Sequence, residues 1–134
     1  MLGYAKSSNL AAYQSAAAHG GVAASDPHRL IVMLLDGALE RIAKARGCMQ
    51  RNEMAEKARL INGAMSIIGE LRASLDMRQG GQIAANLAEL YDYMSRRLLL
   101  ASTENKVDML DEVSSLLHEI RSAWLAIAPE ARAK

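Results

Sequence analysis

The sequence predicts an all-α fold: an antiparallel up-down-up-down four-helix bundle with a short N-terminal helical arm. Three observations predict it. Apolar residues recur at steps of three and four through four successive segments, the spacing that lines one face of a helix. The two prolines, Pro27 and Pro129, bracket about a hundred residues that contain no such helix breaker. The links between the segments are short, and short links force neighbouring helices to run antiparallel. There is no phenylalanine and only 4% aromatic residues, so the core must be built from Leu, Ile, Met and Ala, which suits closely packed helices.

The first segment starts at Ser25-Asp26-Pro27. Asp26 can cap it and Pro27 takes the first helical position. Ile31, Leu34, Leu35, Ala38, Ile42, Ala45 and Met49 form its apolar face, and it ends near Arg51-Asn52, where Asn52 can cap the next helix. The second segment runs from about Glu53 to Met77. Met54, Ala58, Ile61, Met65, Ile68, Leu71 and Leu75 make one stripe, and Leu60, Ala64, Ile67 and Leu71 make a second beside it. Gly80-Gly81 closes this region and permits the reversal.

The third segment, Gly80 to Ala101, carries a stripe of Ile83, Leu87, Leu90, Met94, Leu98 and Ala101. Tyr91, Tyr93, Leu99 and Leu100 fall outside it. Asp92 and Arg96 stand four apart in the favourable order. After a break near Ser102-Thr103-Glu104-Asn105, the fourth segment is expected to be capped by Asn105, with Asp108 in its first turn. Leu110, Val113, Leu117, Ile120, Trp124 and Ile127 alternate strictly by three and four, a coiled-coil-like seam that Pro129 stops. Helices of roughly 20 to 24 residues would be about 30 to 36 Å long. The expected organisation is one domain, residues 25–134, with residues 1–24 as an Ala/Ser/Gly-rich arm that is a candidate mobile segment.

Several function classes are disfavoured. A net charge of +1 does not suggest a nucleic-acid binder. No run approaches the roughly 18 apolar residues of a membrane span. The N-terminus lacks a signal-peptide pattern, and the single cysteine, Cys48, fits a reducing compartment, so a soluble, cytosolic chain is expected. No Glu-x-x-His or His-Glu-x-x-His occurs, and His19, His28 and His118 are scattered; no metal site, cofactor or catalytic constellation is expected. What the pattern offers is surplus apolar surface. A helix with more apolar side chains than one core face needs either sits centrally in a bundle or faces a partner. The candidate partner-binding residues are Leu60, Ala64, Ile67 and Leu71 on the second segment and Ile83, Leu87, Tyr91 and Met94 on the third. For each, ordinary core packing is the competing reading. Tyr91 and Tyr93 lie about 200° apart around a helix, so they cannot share a face, and the spacing does not say which of them leaves the core.

An ordered set of motifs carries a resemblance. It comprises Ser25-Asp26-Pro27-His28-Arg29-Leu30-Ile31, Met33 to Ala38, Lys57, Ile67-Ile68-x-x-Leu71, Ser74-Leu75-Asp76, Gly80-Gly81-Gln82-Ile83-Ala84-x-Asn86-Leu87, Leu90-Tyr91-Asp92-Tyr93-Met94-x-Arg96-Arg97-Leu98-Leu99, Glu112-Val113-x-x-Leu116-Leu117 and Ala123-Trp124. Over nearly its whole length the chain resembles the flagellar secretion chaperone family, the export chaperones of flagellin. Leu35 departs from the family's usual aromatic there, and the link Ala101 to Lys106 lacks the usual Ala-Asn start.

The resemblance implies an antiparallel helical bundle that binds the disordered C-terminal segment of flagellin in the cytoplasm, blocks premature polymerisation and helps delivery to an export-gate component; some members also bind an anti-sigma factor. It also implies a role for Tyr13, which matches the family's arm tyrosine fourteen residues before Pro27: packing in the client groove and leaving it when the client binds. The competing class is a structural or adaptor bundle that homodimerises through the same stripes. The expected free state is a monomer or weak homodimer.

Overall fold

The computed structural model describes residues 26–127; the arm with Tyr13, and Pro129, lie outside the described residues. Four helices follow one another: α1 (Pro27–Gln50), α2 (Met54–Ala73), α3 (Met77–Glu104) and α4 (Val107–Ala126). Each packs on the next, and α4 closes the ring against α1. With links of two or three residues between them, consecutive helices must reverse direction, so the architecture is the expected up-down-up-down bundle.

The helix ends show how local chemistry sets the turns. The Asp26 carboxylate accepts from the Arg29 N–H at 3.2 Å, with Pro27 at the first helical position. At the other end of α1, Asn52 takes a left-handed conformation (φ 60°). The Glu53 N–H then reaches the Cys48 carbonyl at 2.8 Å and the Asn52 N–H the Met49 carbonyl at 3.3 Å. This is the helix-closing pattern in which a left-handed residue satisfies the last carbonyls. Asn52 therefore ends α1 rather than capping α2, whose cap position, Glu53, makes no side-chain capping bond. Asn105 repeats the arrangement at the end of α3: its φ is 54°, and the Lys106 N–H bonds the Ala101 carbonyl at 3.1 Å. It closes α3, and the cap position of α4 is Lys106, which makes no side-chain capping bond.

The second reversal also sits elsewhere than expected. α2 stops at Ala73, not near Met77, and the chain turns at Ser74–Asp76. The Asp76 carboxylate caps α3 by accepting from the N–H groups of Arg78 and Gln79 at 3.1 and 3.0 Å. Gly80 and Gly81 thus lie inside α3, where Gly81 kinks it with φ 53° and ψ −130°. That conformation is open to glycine and strained for any other residue.

The core holds the predicted faces of all four helices, among them Leu34, Leu35, Ile42, Ile61, Ile68, Met94, Leu98, Leu110 and Leu117. The second stripe of α2 is buried whole and the first at Ile61, Ile68 and Leu71, because α2 packs against α1 on one side and α3 on the other. Paired charges fix the register between helices. Arg46 grips Asp111 with two bonds, Arg121 meets Asp36, and Arg72 holds Asp92 with two bonds. Asp92 thus pairs across the α2–α3 boundary rather than with Arg96; a two-pronged guanidinium contact is stronger than a single i,i+4 pair. Such exposed pairs each contribute about 0–1 kcal/mol, so they align helices more than they stabilise them.

Of the two charged residues buried among those described, Glu70 and Lys57, Lys57 bonds across to another helix. Its ammonium donates to the Ser102 carbonyl at 2.7 Å and to the Asn105 side-chain oxygen at 2.8 Å. The Ser102 carbonyl is among the last four of α3, which have no partner within their own helix. A cation there also meets the negative end of the helix dipole. Lys57→Met is expected to lower stability by about 1–3 kcal/mol, the cost of leaving polar groups unpaired. Urea denaturation checks this, and an unchanged midpoint would remove Lys57 from that role.

Candidate functional site

The α4 seam is not uniformly buried. Leu110, Val113 and Leu117 are fully enclosed, Ile120 and Trp124 are half-buried, and Ile127 is exposed. The same gradient runs along α1, where Leu34 is enclosed and Ile31 only partly so, and along α3, where Met94 is enclosed, Leu87 partly so and Ile83 stands 73% exposed. All three loosen toward the end of the bundle where α1 and α3 begin and α2 and α4 finish. There they leave an apolar cleft of about 370 Å³.

Each helix supplies part of its lining. From α1 come Pro27, Leu30 and Ile31; from α2 and the turn after it, Leu71, Ser74, Leu75 and Asp76. α3 contributes Gly80, Ile83, Ala84, Leu87 and Tyr91, and α4 contributes Ile120 and Trp124. A reciprocal clasp holds the α1–α4 wall. The Trp124 indole N–H donates to the His28 carbonyl at 2.9 Å, and His28 Nε2 lies 2.9 Å from the Trp124 carbonyl oxygen. A carbonyl only accepts, so Nε2 carries the hydrogen. The two rings stack with centroids 5.1 Å apart.

The tyrosine ambiguity resolves here. Tyr91 points inward and lines the cleft, and burial pushes its phenol up to about 12 from 10.0. Tyr93 turns to the α3–α4 boundary, where its hydroxyl donates to Glu112 at 2.6 Å and Arg97 donates to the same carboxylate at 2.8 Å. These bonds hold the Glu112 carboxyl below its usual range and raise the Tyr93 phenol.

The raised Tyr91 value has a stability consequence. The folded chain keeps this proton where the unfolded chain has lost it. The associated stability is complete below pH 10 and falls away as pH rises toward 12, at about 1.4 kcal/mol per pH unit. Tyr91→Phe is expected to flatten that decline in urea midpoints measured across the range.

The sequence-based candidates divide into three groups. Leu71, Ile83, Leu87 and Tyr91 come together at the cleft. Leu60, Ala64, Ile67 and Met94 are enclosed in the core between helices and reach no surface in this arrangement. Tyr13 lies outside the described residues. Sequence reasoning missed the α1 and α4 contributions. Leu30, beside Ile31 at the start of α1, was the available signal: it carries the apolar face to the very beginning of the helix. Two further apolar residues, Leu99 and Leu100, are exposed on α3 away from the cleft.

Cys48 is buried, and burial, with Glu53 adding to it, pushes its thiol up, which suits a packing role. Among the described residues no three potential metal ligands gather, and no helix is long and apolar enough to cross a membrane.

The family model described as flagellar protein FliS matches residues 9–131. The chain belongs to this family. Among its FliS relatives, the flagellar secretion chaperone FliSB of Pseudomonas aeruginosa is 48% identical over 116 residues, covering 87% of this chain and 92% of that protein. The flagellar secretion chaperone FliS of Salmonella typhimurium is 41% identical over 125 residues, 92% of this chain and 93% of that protein. That of Bacillus subtilis is 34% identical over 98 residues, 73% of this chain and 72% of that protein. The cleft therefore belongs to a FliS-family bundle, and the motif residues Ile83, Leu87, Tyr91 and Trp124 all line it.

Proposed function

We propose that this chain is a cytosolic, non-enzymatic export chaperone that binds the disordered C-terminal segment of flagellin, keeps it from polymerising early and assists its delivery to the flagellar export apparatus. Membership of the FliS family and relatives named as flagellar secretion chaperones support the export role. The observation that carries the binding site is the apolar end cleft, with Ile83 exposed at its edge and Leu87, Tyr91 and Leu71 behind it. A disordered segment gains helix by laying apolar anchors into such a groove. Ordering the segment costs about 2–5 kcal/mol of the gross interaction, so affinity stays moderate and release stays possible. Contact with an export-gate component or an anti-sigma factor belongs to the same reading. Tyr13 is proposed to share the groove and to yield it to the client.

Calorimetric titration with a peptide covering the flagellin C-terminal segment tests this. Saturable one-to-one binding with a negative heat-capacity change is expected. No binding at micromolar peptide would overturn the reading. The adaptor alternative has one observation in its favour, the exposed pair Leu99 and Leu100. A stable client-free dimer by sedimentation, dissociated by Leu99→Asp, would support it instead.

A further inference from the structure

Gly80 and Gly81 do different things in α3. Gly81 supplies a backbone conformation that no L side chain adopts without strain, and a Cβ there would meet nothing within 4 Å. Gly80 has the opposite constraint: a Cβ on it would lie 2.6 Å from the Ala84 Cβ. In a regular helix, side chains four apart keep their Cβ atoms about 5–6 Å from each other. The kink therefore folds the first turn of α3 down over Ala84, which itself lines the cleft. Ser74, Leu75, Asp76 and Gly80 become one wall of that cleft. The turn is a unit in its own right, held by the Asp76 cap and by the Gly80 N–H bonded to the Asp76 carbonyl at 2.8 Å. Only the dihedrals of Gly81 separate this folded-down arrangement from a straight α3.

We propose that the Gly80–Gly81 pair is a hinge that closes the first turn of α3 over the end cleft, and that the cleft opens to a partner segment when the kink straightens. The opening stands on the geometry; its use by flagellin rests on the function proposed above. Gly80→Ala and Gly81→Ala both forbid the kink, one by collision with Ala84 and one by backbone strain. The collision is removed by Ala84→Gly, so the double variant Gly80→Ala/Ala84→Gly regains the kink. A mere gain in helix propensity would not be reversed in this way at the cleft.

The readout is acrylamide quenching of Trp124, the chain's one tryptophan, which lines the cleft. In the full chain, each single substitution is expected to raise the quenching constant by about twofold or more, as the open population becomes dominant. The double variant is expected to return to the parent value. Unchanged quenching in both single variants, or quenching that stays raised in the double variant, would overturn the hinge. With the flagellin peptide added, faster association to Gly80→Ala than to the parent supports the coupling to binding, and an equal rate overturns that coupling. A peptide that fails to bind any form removes the flagellin reading, while the quenching series still decides the hinge.

Discussion

Ile67→Asp is expected to remove about a third or more of the bundle's stability and to lower its melting temperature sharply. Ile67 is 1% exposed and belongs to the core cluster with Ile61, Ala64, Ile68 and Leu71. The substitution removes a buried side chain whose burial alone is worth roughly 1.5–3 kcal/mol. It adds a carboxylate to an apolar site, where a charge must either desolvate without a partner or take up a proton. Together these cost on the order of 5 kcal/mol, against a total stability of about 5–15 kcal/mol for a domain of this kind. A thermal melt by far-UV circular dichroism checks this. A cooperative melt near that of the parent would place Ile67 on a surface after all.

The same substitution at Ile83 is expected to do the reverse. Ile83 is 73% exposed, so an aspartate there stays hydrated, and the melt should shift by no more than about 0.5 kcal/mol. Yet it puts a charge on the edge of the cleft, where an apolar anchor of the client would have to desolvate it. Binding of the flagellin peptide is expected to weaken by about tenfold or more, which is about 1.4 kcal/mol. Leu99→Asp, also exposed but away from the cleft, is expected to leave affinity unchanged. If Leu99→Asp weakens binding and Ile83→Asp does not, the client lies along the other part of α3.

The contrast between these two isoleucines shows what was legible in the sequence. Spacing by three and four identified the four helices and their core faces, because helical geometry alone decides which residues share a side. It could not say how wide a buried face is. Leu60, Ala64 and Ile67 read as surplus beside the first stripe of α2, but α2 has a neighbour on either side, and all three go to core. The reversals were harder to place. Asn serves both as an N-cap and as the residue that tolerates a left-handed turn, so Asn52 and Asn105 read as helix starts where they are helix ends. Gly80-Gly81 outweighed Asp76 as a turn signal, although the acid makes the turn and the glycines make a kink within α3. The cleft was only partly readable, because it is assembled from helix ends as far apart in the chain as His28 and Trp124. No local pattern announces that pairing.

Amide exchange of the full chain, with and without the flagellin C-terminal peptide, shows whether the end cleft receives the client. New protection is expected over residues 80–91, the start of α1 and residues 120–124 of α4. Protection confined to the surroundings of Leu99 and Leu100, with the cleft residues exchanging as before, would contradict it.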